Sequence, residues 1–273
     1  MNARTSRRTP FSFAGLGVAL ALVTAGCIDE RITVQFDAQA IGAPVNPVND
    51  GSVADFTDIE VMSINGGEVI GAPGVTGNGS AGQFPSHSIG PDSPRAVIKI
   101  SNPVNLGLLN PGARDFWFGA DINLDAENAT SDSNDDGNNV IQRGLFNETS
   151  QFKIEVDNLR PACRIKGSLD DVRLQGEAIT PGDTYRIRCE RIGTDVRLLV
   201  WPVNNNGSLA APVTDIARTV EVGPLSFERG IPMAIGGKLN NNGTVNPSTD
   251  QFNGTIDNAI LRIDFPEFED AEL

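Results

Sequence analysis

Apolar and polar residues alternate at every second position, and this limits the chain's possible folds more than any other feature. In Phe116-Trp117-Phe118-Gly119-Ala120-Asp121-Ile122-Asn123-Leu124-Asp125, the set Phe116, Phe118, Ala120, Ile122 and Leu124 shares one side. Gly119, Asp121, Asn123 and Asp125 share the other. Side chains of an extended backbone point to opposite faces in turn, so the pattern predicts a strand with one buried face. Phe152, Ile154 and Val156 alternate with Lys153, Glu155 and Asp157, and Tyr185, Ile187 and Cys189 alternate with Arg186, Arg188 and Glu190. No comparable stretch repeats with a helical period. The 29 glycines and 17 prolines then read as turns between strands.

Gly193-Thr194-Asp195 reads as a hairpin turn, with Val196, Leu198 and Val200 on the returning strand. Further strands are expected at 32–36, 59–62, 96–100, 233–235 and 254–264. In the last of these, Ile256 is out of phase with Ala259, Leu261 and Ile263, and a bulge at Asp257-Asn258 reconciles the two halves. Residues 66–88, 126–139, 204–211 and 240–249 read as polar, glycine-rich loops, the first long enough to be functional. Their Asn-x-Ser/Thr triplets, such as Asn206-Gly207-Ser208, read as turn chemistry rather than glycosylation acceptors. No linker or internal repeat divides the chain. Residues 266–273 form an acidic tail.

The first residues carry Arg4, Arg7 and Arg8 and no acid, followed by an apolar run from Phe11 to Val23. A cationic start, a short apolar stretch and small residues before a cut site define a secretory signal. The alternative, a transmembrane anchor, needs about 20 apolar residues. Ser6-Arg7-Arg8 hints at twin-arginine export, with the general secretory route equally open. Val23-Thr24-Ala25-Gly26-Cys27 resembles the lipobox of bacterial lipoproteins. The resemblance implies cleavage before Cys27, a diacylglycerol thioether on Cys27 and extracytoplasmic attachment to a bacterial membrane.

Removing residues 1–26 takes away three arginines and no acid, leaving 18 basic and 35 acidic residues, net −17. Such a surface repels nucleic acid and anionic lipid and attracts cations. Cys163 and Cys189 remain. In an oxidising compartment an even pair reads as a disulfide, with two buried thiols as the alternative. Two thiols and the lone His87 are too few for zinc.

From about Asp115 onward the ordered series Phe116-Trp117-Phe118-Gly119-Ala120-Asp121, Gly137-Asn138-Asn139-Val140-Ile141-Gln142-Arg143-Gly144, Gln151-Phe152-Lys153-Ile154 and Pro161-Ala162-Cys163 is similar to a laminin G-like domain of the concanavalin A-like lectin/glucanase superfamily. Cys189-Glu190-Arg191, Ile235-Gly236-Gly237-Lys238 and Asp250-Gln251-Phe252-Asn253-Gly254-Thr255-Ile256-Asp257 complete it. The resemblance covers more than half of the chain and implies an all-β, antiparallel two-sheet jelly-roll sandwich over residues 27–265. It also implies the Cys163–Cys189 bridge. Gly236-Gly237 suits a positive φ and a close approach between sheets. Arg143 is expected to pair with a buried carboxylate such as Asp257.

Some members of this superfamily are glycosidases, which need two carboxylates on one strand face. The nearest candidate, Glu155-Val156-Asp157, lacks a third carboxylate on its strand. There is no Gly-x-Ser-x-Gly elbow, and His87 is the only imidazole. The reading is therefore non-catalytic: a membrane-anchored binding module for glycan or protein. A glycoside hydrolase-like enzyme and a purely structural envelope protein are the alternatives. Asp132, Asp135, Asp136 and Asn138 concentrate hard oxygen ligands in one loop and are the expected Ca²⁺ site, against a solvated acidic loop. Of the two tryptophans, Trp117 shares a strand with core residues, whereas Trp201 precedes Pro202 at a strand end and is the expected ligand-binding aromatic.

Overall fold

Residues that alternate in the sequence do so in space. In the computed structural model the described residues are 30–37, 39–76, 79–88, 90–102, 108–126, 137–228, 230–247 and 250–264. The leader, Cys27 and the acidic tail lie outside them. Sixteen strands follow in chain order. The first eight are β1 (Glu30–Gln35), β2 (Val48–Asn49), β3 (Asp58–Ile64), β4 (Ile70–Pro73), β5 (Ser80–Gln83), β6 (Arg95–Ser101), β7 (Phe116–Leu124) and β8 (Gly137–Arg143). The second eight are β9 (Gln151–Asp157), β10 (Arg160–Lys166), β11 (Asp171–Gln175), β12 (Thr184–Ile192), β13 (Asp195–Pro202), β14 (Thr214–Thr219), β15 (Met233–Ile235) and β16 (Gly254–Ile263). A 3₁₀ turn spans Ala54–Phe56.

The strands form two antiparallel sheets packed as a jelly-roll sandwich. One runs β14-β13-β12-β7-β16-β1-β2, with the β4–β5 hairpin attached to β16, and the other runs β11-β10-β9-β8-β15-β6-β3. Phe116, Phe118, Ala120 and Ile122 of the first sheet meet Phe152, Ile154 and Val156 of the second in one continuous apolar core. Burying a side chain of this size stabilises a fold by about 1.5–3 kcal/mol. The Cys163–Cys189 disulfide crosses that core from β10 to β12, with its Cα atoms 5.7 Å apart.

The β12–β13 hairpin closes through Gly193 at φ +57°, pairing Ile192 with Asp195. On β16 the register shifts between Asp257 and Ile260, so Ile256, Ala259, Leu261 and Ile263 all reach the core. Gly236 has φ +79°, and a Cβ there would lie 1.9 Å from the Phe84 ring; no other residue fits. The Gln251 carboxamide bonds both Ala96 backbone groups and the Gly236 carbonyl, and Phe252 packs edge-on against Phe84. These contacts give the Asp250–Asp257 stretch a structural purpose.

Three expectations are corrected. Residues 66–88 contain the β4–β5 hairpin rather than loop alone, and β8 begins at Gly137, inside the expected 126–139 loop. Arg143 does not pair with Asp257. Its Nε donates to the Ile231 carbonyl at 3.2 Å, another nitrogen donates to the Leu109 carbonyl, and the guanidinium sits 4.5 Å over the Phe227 ring. Burial lowers its pKa to about 10. Asp257 lies on the outer face of the other sheet, with the core between them.

At the β16 bulge, Asp257 stands opposite Asp121, whose carboxylate is held by Arg186 in two bonds of 2.7 and 2.8 Å and by the Asn258 amide. Burial pushes the Asp257 carboxyl up to about 7, and the Asp121 and Asp37 carboxylates push the same way against the Asn258 and Val75 N–H groups.

Candidate functional site

Two short stretches far apart in sequence fold identically. In Val203-Asn204-Asn205-Asn206-Gly207-Ser208-Leu209, the Asn204 and Gly207 N–H groups donate to the Ser208 and Asn204 carbonyls, both at 2.8 Å. The Asn206 Oδ1 accepts from the Ser208 N–H and hydroxyl at 3.1 and 2.7 Å. In Leu239-Asn240-Asn241-Asn242-Gly243-Thr244-Val245, Asn240, Asn242, Gly243 and Thr244 repeat every one of these bonds. Gly207 and Gly243 have φ +82° and +78°, where a Cβ is strained. The asparagine triplets are thus used as turns, and the recurrence is a small repeat that the sequence reading did not register.

The second copy folds back over the outer face of its sheet. Leu239 and Val245 join Val97 and Ala234 in a small core of their own. That places Asn241 at the end of the sandwich, opposite the β8–β9 loop. Glu148 of that loop accepts from the Leu145 N–H at 3.1 Å with one oxygen and from the Asn241 amide with the other. The Ser150 hydroxyl oxygen accepts the Ser226 N–H at 3.0 Å, tying in the third wall.

Between these walls lies an open cleft of about 300 Å³ lined by Asn147, Glu148, Thr149, Ser226, Glu228 and Asn241, with Phe227 and Ile231 at its base. Arg143, bound to the Ile231 carbonyl and stacked on Phe227, holds that base from beneath. Phe146, the residue before Asn147 of the cleft wall, is 70% exposed. Arg164 lies 4.4 Å and Lys166 5.8 Å from its ring centre, and the Lys166 ammonium donates to the Phe146 carbonyl at 2.9 Å.

The residues singled out from sequence lie elsewhere. Trp201 is half-buried on β13, paired with Arg186 of the neighbouring β12 in the sheet that does not carry the cleft. Trp117 is fully buried on that sheet's outer face, 4.4 Å beneath the Arg188 guanidinium. His87 is half-buried, with Nδ1 3.4 Å from the Asn253 Oδ1. Glu155 is ion-paired with Lys153 and Arg173, and Asp157 with Arg173 at 2.7 Å. Asp132, Asp135 and Asp136 fall outside the described residues. The Asn138 Oδ1 accepts the Asn253 N–H at 3.1 Å, a structural use of the oxygen expected to bind calcium. Among the described residues no group of three or more acidic, histidine or cysteine side chains is placed to hold a metal ion.

No family model matches the chain, and no curated protein does. Solved structures do match. The binding domain of Paraclostridial Mosquitocidal Protein 1 is 11% identical with a TM-score of 0.50, over 85% of this chain and 47% of that one. The chain therefore spans about half the length of that neighbour. Domain 4 of AbnA, a GH43 extracellular arabinanase from Geobacillus stearothermophilus, is 11% identical at 0.48, over 78% and 85%. The LG1-3 region of the laminin α2 chain is 8% identical at 0.41, over 61% and 28%. What is shared is fold.

The cleft escaped sequence reading because its walls come from loops about 80 residues apart. One signal was available: Phe146, an aromatic in a turn between Gly144-Leu145 and Asn147-Glu148, has no place on an alternating strand.

Proposed function

We propose that the protein is an exported lipoprotein, tethered through lipid on Cys27, whose jelly-roll domain binds a glycan without turning it over. The observation that carries the binding half is the polar cleft beside an exposed aromatic ring. Concave sites with convergent polar groups and an apolar surface are where small ligands are held. The non-catalytic half is supported by the state of the carboxylates: Glu155 and Asp157 are neutralised by Lys153 and Arg173, and Glu148 is committed to Leu145 and Asn241. A retaining glycosidase needs a free acid and nucleophile about 5–5.5 Å apart. Ca²⁺ bound by Asp132, Asp135, Asp136 and Asn138 is part of the proposal, with the Asn138 Oδ1 also accepting the Asn253 N–H.

The test is an oligosaccharide array probed with the full chain in detergent, with and without millimolar Ca²⁺, followed by incubation with each bound sugar. Retention of intact sugar is expected; release of new reducing ends makes the protein an enzyme. For the anchor, Cys27→Ala is expected to shift the protein from the membrane to the soluble fraction or leave an unprocessed precursor. Unchanged fractionation and mass reject lipidation, because the acyl chains supply about 0.8 kcal/mol per buried CH₂.

A further inference from the structure

We propose that the cleft between the β8–β9 loop and the 239–245 turn is the glycan site, and that it selects uncharged sugars. Phe146 is the stacking surface, and Asn147 and Asn241 carry the hydrogen bonds. This rests on the glycan-binding reading above and names the site and ligand class within it.

A ring as exposed as Phe146 forgoes stabilisation that burial would bring. Arg164 lies 4.4 Å from its ring centre and Lys166 bonds the Phe146 carbonyl, so a largely exposed ring is nevertheless held in place. A sugar ring is amphipathic in a matching way. Its C–H face packs on an aromatic ring, while its equatorial hydroxyls offer donors and acceptors around the edge. Asn147 is next in the chain to Phe146, and with Asn241 it lines the adjoining cleft. Each carboxamide both donates and accepts, as a hydroxyl does.

Charge sets the class. Glu148 and Glu228 line the cleft, the Arg164 guanidinium under Phe146 is already paired with Asp171, the Lys166 ammonium is turned to the Phe146 carbonyl, and the chain from residue 27 has net charge −17. A uronate, sulfate or phosphate placed there meets like charge from both the wall and the whole surface. The volume of about 300 Å³ lies at the small end of ligand sites and suits a short sugar segment. The Glu148–Asn241 and Ser150–Ser226 links set the walls before any ligand arrives, so little ordering cost is left to binding.

The experiment uses the full chain in detergent against two panels at equal ionic strength. One panel holds neutral gluco-, galacto-, manno-, xylo- and arabino-oligosaccharides; the other holds oligouronates and sulfated oligosaccharides. Binding is expected on the neutral panel alone. Phe146→Ala and Asn241→Ala are each expected to weaken it at least tenfold with the melting temperature nearly unchanged. Should Asn241→Ala loosen the turn, Asn147→Ala on the facing wall reads the same site. Neutral-sugar binding untouched by all three variants overturns the site while leaving the glycan-binding reading standing. Binding confined to the acidic panel overturns the class. Wild-type protein that binds neither panel overturns both the site and the reading.

Discussion

The turns at 203–209 and 239–245 share a hydrogen-bond pattern atom for atom, yet the molecule uses them differently. The first stands in solvent, with Leu209 39% exposed. The second lies on a sheet, with Leu239 6% exposed and Val245 in the same small core, and it lends Asn241 to the cleft. Local chemistry makes the turn, and the flanking apolar residues decide what it is for.

Truncating those flanks separates the copies most. Leu239→Ala is expected to cost about 2–3 kcal/mol in chemical denaturation, the low end for a buried leucine. Leu209→Ala, on a surface, is expected to cost about 0.5 kcal/mol or less. Equal losses would mean that the second turn is not anchored by its flank. The glycines are expected to behave alike. Gly207→Ala and Gly243→Ala each place a side chain in left-handed backbone, at about 1–2 kcal/mol. The new Cβ at 243 meets only the flexible end of Lys99, 3.2 Å away, and that at 207 meets Thr76 at 3.5 Å. A large inequality would show that packing reaches into the turns themselves. Asn206→Ala and Asn242→Ala each remove an acceptor of two hydrogen bonds, about 1 kcal/mol by thermal melting, again in parallel. Smallest of all, Asn205→Ala and Asn241→Ala are expected to change stability by no more than about 0.5 kcal/mol, while only the latter loses sugar affinity.

Much of the sandwich is legible in the sequence for one reason: strands with a single buried face announce it by alternation. The strands β7, β9 and β12 do so over seven to nine residues each, and the β16 bulge shows as a slip in phase. The β4–β5 hairpin is illegible for the opposite reason. Its Ile-Gly-Ala-Pro and Ser-Ala-Gly-Gln strands are short and small, because Gly71 lies against the Ala40 carbonyl and Gly82 against the Phe36 ring. Residues chosen to let backbone approach look like loop. β14 is hidden too, since a mostly exposed edge strand such as Thr214–Thr219 lacks a clear apolar face. The cleft is a product of loops meeting at one end, which no periodicity encodes. Trp201 drew notice because it precedes Pro202 at a strand end, yet it is half-buried, whereas Phe146 is 70% exposed.

The buried carboxyl at the β16 bulge ties one increment of the domain's stability to acidity. A free aspartate gives up its proton near pH 3.8, but the folded chain keeps the one on Asp257 until about 7. Folding between those values takes up a proton. Through this one group the fold is favoured in sour surroundings and gives up that advantage as they turn neutral.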